Sequence, residues 1–186
     1  MPVPNESSEA TWIAAAQTGD ADAFRRLVEM HQQAVVGYLY RMGNEMETAQ
    51  DLAQETFLKA WLSLAKYRPS GKFRNWLLRI AHNTALDFWR RERPTTPLEH
   101  VSLADDAPGP EHQAFHREVS EMVQRAVQSL PAGCRAALIL REYHQLSYRE
   151  IAETLEIPTG TVMSRLNYAR TQLKKILHPL LEEVHA

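Results

Sequence analysis

Residues 146–170 read LSYREIAETLEIPTGTVMSRLNYAR, two short helical patterns around a break. Ser147 followed by Glu150 has the S-x-x-E spacing of a capping box, which predicts a helix starting at Tyr148. Ile151, Ala152 and Leu155 give that helix one apolar face. Ile157-Pro158 predicts its end, because the residue before a proline is pushed out of helical backbone space. Thr159 is then expected to cap a second helix, and Gly160 to allow close backbone approach. Val162, Leu166 and Ala169 or Leu173 fall on an inward face. Thr161, Met163, Ser164, Arg165, Asn167, Tyr168 and Arg170 remain on the other surfaces. A short supporting helix holding a second helix, with small polar and basic side chains near its N-terminal half, suits the DNA major groove. A plain αα-corner would share this spacing. The S-Y-R-E-I-A start, the P-x-G-T-V turn and the S-R-L-x-x-A-R run favour the DNA reader.

Upstream of this stretch, residues 132–144 are expected as a helix with Pro131 at its first turn. Residues 117–129 form an amphipathic pattern with Val119, Met122, Val123, Ala126 and Val127 inward. Leu138–Leu140 is a short aliphatic run inside a helical pattern, so strand signals are nearly absent. Downstream, the second helix of the reader is expected to reach Leu177, before Pro179, with a frayed tail.

Residues 94–116 carry Glu99, Asp105, Asp106 and Glu111, no lysine or arginine, and prolines at 94, 97, 108 and 110. That composition describes a flexible acidic linker with little capacity to bury a core. It also offsets basic charge elsewhere, so the formal net charge of −2 does not oppose a nucleic-acid partner. His112 and His116 stand one helical turn apart without a third ligand, so no metal site is expected.

In the N-terminal half, residues 1–9 are expected to be unstructured and residues 11–17 to form a short helix broken at Gly19-Asp20. Residues 22–41 place Phe24, Leu27, Val28, His31, Val35, Tyr38 and Leu39 at helical steps, ended by Gly43-Asn44. Residues 48–66 have a core stripe of Ala49, Leu52, Ala53, Thr56, Phe57, Ala60, Trp61 and Leu64. On another side lie Asp51, Gln54, Glu55, Leu58 and Leu62. Scattered surface leucines are ordinary; two beside these acids also read as a docking strip for a basic, apolar helix of another protein.

Residues 67–71 are a turn-rich loop, and residues 72–91 a helix with Phe73, Trp76, Leu77, Ile80, Thr84 and Phe88 as core. Arg79, Asn83, Leu86 and Arg90 share a different stripe. Lys66, Arg68, Lys72, Arg74, Arg79, Arg90, Arg91 and Arg93 make this the most basic part of the chain, with Tyr67, Phe73, Trp76, Phe88 and Trp89 interleaved. Cations that track a backbone, with flat rings that stack on unpaired bases, suit single-stranded nucleic acid. Most of the rings are expected in the core, with Tyr67, Trp89 or both reachable.

The single cysteine, Cys134, leaves no disulfide within the chain and is expected as a small buried side chain. MPVPNESSEATWIAAA lacks the basic and apolar regions of a signal peptide, and no run reaches the ~18–20 apolar residues of a membrane span. No Gly-rich phosphate loop, metal-spaced Cys/His set or nucleophile elbow emerges, so no enzyme, cofactor or metal is expected. The expectation is a cytoplasmic, all-α protein: helical domains at 1–93 and 117–186, the latter with a helix-turn-helix, joined by the flexible acidic linker 94–116.

These residues resemble the extracytoplasmic-function sigma factors, promoter-recognition subunits of bacterial RNA polymerase. AQDLAQETFLKAW resembles the family's core-binding segment, and FRNWLLRIAHNTALDFWRRERP its melting and −10 segment. LPAGCRAALILREYHQLSYREIAETLEIPTGTVMSRLNYARTQL resembles its −35-reading domain. The resemblance implies that Asp51, Gln54, Glu55 and Leu58 contact the β′ clamp helices of core polymerase, with the β subunit as a further contact. It implies that the loop 67–72, with Tyr67, Arg68 and Lys72, forms with Asn83 a pocket for a base flipped from the −10 element. Arg79 lies on the same −10 surface, and Arg90, Arg91 and Arg93 would hold phosphates. Thr161, Met163, Ser164, Arg165, Asn167, Tyr168 and Arg170 would meet −35 DNA. Met163 stands where the family often has a basic residue, and methionine cannot make the bidentate contact to guanine. The linker would thread toward the RNA exit path, mimicking RNA's charge, and an anti-sigma factor would occlude the docking surfaces. Two other readings stay open on residues alone: a dimeric one-component regulator using only the helix-turn-helix, and a helical adaptor that binds no DNA.

Overall fold

A computed structural model describes residues 6–68, 71–91 and 122–184, and no strand occurs among them. The helices are α1 (Glu6–Gln17), α2 (Ala21–Arg41), α3 (Met46–Ser63), α4 (Phe73–Arg91), α5 (122–128 among the described residues), α6 (Ala132–Glu142), α7 (Tyr148–Leu155) and α8 (Thr159–Val184). A 3₁₀ turn, Leu64–Lys66, follows α3. The fold is all-α. Contacts divide it into two compact units, one holding the described residues to Phe88 except Arg41–Glu45, the other Arg41–Glu45 and those from Trp89 onward. The expected linker 94–116, with Arg93, His112, His116 and Val119, lies outside the described residues.

In the first unit, α1 begins at Glu6, so residues 6–9 are helical where an unstructured start was expected. The cause is tertiary: the Glu9 carboxylate lies 2.7 Å from His31 Nε2 on α2. Burial pushes the His31 imidazole below its ordinary value, and the bond to Glu9 opposes that. Gly19, at φ 98°, turns the chain after α1. Asp20 then caps α2, its Oδ1 accepting from Asp22 N at 2.9 Å and Ala23 N at 3.0 Å.

The core of this unit is Leu27, Val35, Tyr38 and Leu39 of α2, Ala49, Leu52 and Ala60 of α3, and Phe73, Leu77, Leu78, Ala81 and Ala85 of α4. Tyr38 Oη and His82 Nδ1 meet at 2.9 Å, giving a buried pair of polar atoms a partner between α2 and α4. Burial pushes the Tyr38 phenol far above its usual range, so it stays neutral. Trp76, Ile80 and Phe88 are only half-buried, because Leu78 and His82 take places at the centre of the interface.

In the second unit, Pro131 stands immediately before α6, its carbonyl accepting from Cys134 N at 2.8 Å and Arg135 N at 2.9 Å. α6 ends at Glu142, short of His144. Gln145, at φ 58°, folds the chain back so that Leu146 N donates to Leu140 O at 3.1 Å. The capping box is present as expected: Glu150 N donates to Ser147 Oγ at 3.2 Å and Ser147 N to Glu150 Oε2 at 2.8 Å. α7 stops at Leu155, one turn position earlier than a proline-imposed end would be. Glu156 enters left-handed space at φ 54°, and Ile157 N closes on Ala152 O at 3.0 Å. Pro158, rather than Thr159, caps α8, with its carbonyl accepting from Thr161 N at 2.9 Å and Val162 N at 3.2 Å.

Gly160 has no neighbour within 4 Å of an added Cβ, so close approach is not its role. α8 continues past Pro179 to Val184, since a proline withholds only its own N–H and later donors can carry a helix on. Cys134 is half-exposed, because α6 turns Ala136–Leu140 inward instead.

Candidate nucleic-acid and polymerase interfaces

The core stripe of α3 is sealed: Ala49, Leu52, Ala53, Thr56, Phe57 and Ala60 are buried. Its other side leaves Asp51 and Gln54 exposed, with Leu58 58% and Leu62 74% exposed. That is the strip expected from spacing. Glu55 is drawn partly out of it. Its carboxylate meets Lys59 Nζ at 2.8 Å, and Lys59 reaches on to Thr84 Oγ1 at 3.2 Å and Asp87 Oδ2 at 3.9 Å on α4. A chain of charge thus runs from the α3 strip to α4, next to Asn83. The i, i+4 spacing of Glu55 and Lys59 was visible in the sequence; the crossing to α4 was not, since it depends on how two helices pack.

On α4, Arg79, Asn83, Arg90 and Arg91 are exposed and Leu86 is half-buried, so the polar stripe is assembled on one helix. Arg90 and Arg91 end α4, where the helix dipole favours cations. The loop before α4 departs from expectation. Tyr67 is 6% exposed, its ring packed on Phe73 and Trp76 with centroids 5.3 and 4.8 Å away. It anchors the loop from within and offers no free face for a base. The apolar pull of two neighbouring rings outweighs the reach of one phenol. Trp89 stays half-exposed, its Nε1 donating to Asn44 Oδ1 at 3.2 Å. Arg68 and Lys72 are exposed.

The loop entry also has a partner that the sequence reading missed. Gln17 Nε2 donates to Leu64 O at 3.1 Å and to Tyr67 O at 2.9 Å. A glutamine ending an alanine-rich helix gives no local sign of such a reach.

α8 buries Val162, Leu166 and Ala169 and presents Met163, 55% exposed, Tyr168, 46% exposed, Ser164 and Asn167. Thr161 is half-buried, and Ser164 Oγ donates back to Thr161 O at 3.0 Å. Arg165 is turned aside: its guanidinium lies 2.9 Å from where a Cβ on Gly133 would stand. Arg170 Nη2 pairs with Glu142 Oε1 at 3.0 Å, bracing α8 on α6. The structure therefore keeps Met163, Ser164, Asn167 and Tyr168 on the open face and sets Arg165 and Arg170 on its flank.

Family descriptions match both units: sigma-70 region 2 over residues 27–95 and sigma-70 region 4 over residues 120–173. The RNA polymerase sigma-H factor of Pseudomonas aeruginosa is 36% identical, covering 92% of this chain and 94% of the relative. The ECF RNA polymerase sigma-E factor of Haemophilus influenzae is 34% identical over 91% and 95% of the two chains. The chain belongs to the extracytoplasmic-function sigma factors. This sigma factor is 31% identical to SigW of Bacillus subtilis over 90% of its length and 96% of the relative. Its fold matches that of CnrH in complex with the cytosolic domain of CnrY, with a TM-score of 0.71, 26% identity and coverage of 92% of this chain and 98% of CnrH. The strip on α3, the α4 stripe and the open face of α8 all fall inside the two matched regions of this sigma factor, whereas α1 lies ahead of them. Among the described residues, no helix of this sigma factor is long and apolar enough to cross a membrane.

Proposed function

We propose that this sigma factor acts in the cytoplasm, docking on the β′ clamp helices of core polymerase through Asp51, Gln54, Glu55 and Leu58, with the β subunit as a second contact. Arg68, Lys72, Arg79, Asn83, Arg90 and Arg91, with Arg93 beyond the described residues, meet the −10 element. Met163, Ser164, Asn167 and Tyr168 face the −35 duplex, flanked by Thr161, Arg165 and Arg170. Domain 1–93 carries the polymerase and −10 contacts and domain 117–186 the −35 contacts, with 94–116 as the tether. The protein selects start sites and forms no RNA bond itself. An anti-sigma factor covers the α3 strip and the second unit until a signal releases them.

The observation that carries this reading is the exposure, on one chain, of an acid-and-leucine strip, a polar stripe on α4 and a helix-turn-helix open at its reading face. A repressor has no need of the first two. The CnrH structure, a fold relative bound to a protein segment, supports partner control. Run-off transcription with purified core polymerase on a pool of promoter fragments tests the whole. Specific starts that appear only with this chain are expected; absence of any selection would overturn the proposal.

Asn83 stands exposed one residue from Thr84, which is buried and tied to Lys59. Asn83→Ala should lower promoter opening about tenfold, a modest part of the few kcal/mol that holding an unstacked base requires. Polymerase affinity, read by fluorescence anisotropy, should not change. Loss of that affinity would remove Asn83 from the reading surface.

Arg165 lies along Gly133 at the edge of the open face. Arg165→Ala should weaken binding to upstream duplex about tenfold, the size of one lost guanidinium contact. Binding to single strands should stay as it was, and equal losses on both would take away its role as a duplex reader.

A further inference from the structure

We propose that Gln17 is a positioning residue for −10 reading, its carboxamide fixing the backbone path that leads from α3 to Arg68. The inference rests on the proposed role of the first unit and deepens it.

Both N–H groups of one amide are within reach of two acceptors, Leu64 O at 3.1 Å and Tyr67 O at 2.9 Å, on either side of the 3₁₀ turn Leu64–Lys66. Leu64 O also accepts from Tyr67 N at 3.0 Å, and Tyr67 O from Arg68 Nη1 at 3.2 Å. The amide therefore grips the turn at the point where the Arg68 side chain folds back on its own backbone. The neighbouring Tyr67 ring is wedged on Phe73 and Trp76 at the start of α4. Gln17 thus joins α1 to the exit of α3 and, through Tyr67, to the entry of α4.

α1 is well placed to hold such a tie. The Glu9–His31 contact at 2.7 Å fixes it to α2, and the Arg26 guanidinium lies 5.7 Å from the Trp12 ring centroid. α1 also stands ahead of the region matched to the family. Two hydrogen bonds to loop carbonyls do little for a core. They restrict which way a short turn can point, which decides whether Arg68 arrives in register at the pocket for a flipped −10 base.

The test uses the full chain with core polymerase on templates carrying either the preferred or a substituted non-template base in the −10 element. Gln17→Leu keeps the size and removes both donors. Gln17→Lys restores donors that can reach two carbonyls. With Gln17→Leu, the ratio of run-off transcripts between the two templates should fall about tenfold, the equivalent of one to two lost hydrogen bonds. Gln17→Lys should recover most of it, and polymerase affinity should not move in either variant. Full discrimination by a folded Gln17→Leu overturns the proposal. If thermal melting shows that Gln17→Leu does not fold, Gln17→Glu, which keeps the shape but cannot donate, gives the same decision. Asn83→Ala and Arg68→Ala run alongside. If they abolish discrimination and Gln17→Leu does not, the clamp alone falls; if they too leave it intact, the reading of the first unit falls and takes the clamp with it.

Discussion

Leu166→Ala should destabilise the second unit by about 2–5 kcal/mol and abolish its binding to upstream duplex. Leu166 is 1% exposed and sits between Val162 and Ala169, both at 0%. Ala136, Ala137, Ile139 and Leu140 of α6 and Ile151 and Leu155 of α7 are buried in the same unit, and α8 packs on both helices. Removing its branched end leaves a void in the core where α8 packs on α6 and α7. A small unit has little reserve, since whole domains are stable by only about 5–15 kcal/mol. The melting transition of this unit should fall by roughly 10–30 °C in a circular-dichroism scan. A transition unmoved by the substitution would contradict the packing described for α6, α7 and α8.

Asp51→Arg should weaken association with core polymerase about a hundredfold, the scale of a hot-spot residue replaced by its opposite charge. Asp51 is exposed on α3 beside Gln54, with Leu58 58% exposed further along. Nothing in the core depends on it, so folding should change by no more than about 0.5 kcal/mol. The loss should shrink as salt rises, because an exposed charge is screened within about 8–10 Å at ordinary ionic strength. Titration of labelled polymerase with wild-type and variant chains gives both the affinity and its salt dependence. Equal affinities at low salt would show that this strip does not dock.

Much of the fold could be read locally. The capping box at Ser147 and Glu150, the core stripe of α3 and the inward set Val162, Leu166 and Ala169 follow from spacing alone, because helical periodicity forces those side chains onto one face. The turns were less legible. Glu156 and Gln145 adopt left-handed backbone, at φ 54° and 58°, without the glycine that would have signalled it. Tertiary contact decided the rest. Glu9 became helical through His31, and Tyr67 turned inward onto two rings.

On the candidate surfaces, exposure of Asp51, Gln54, Leu58, Asn83, Met163 and Tyr168 was expected from their helical phase. The aside taken by Arg165 was not, since it depends on Gly133, 32 positions earlier by numbering, leaving room on another helix. Gln17 is a sharper case. Its partners, 47 and 50 residues away, belong to a turn that a linear pattern cannot pair with it.

α7 has eight residues. A segment of that length has no standing as a helix in water, where about 12–15 residues are marginal even for favourable sequences. It exists only while its neighbours hold it, so the DNA-reading corner has no half-assembled form. A newly made chain therefore gains α7 only together with the helices that pack on it.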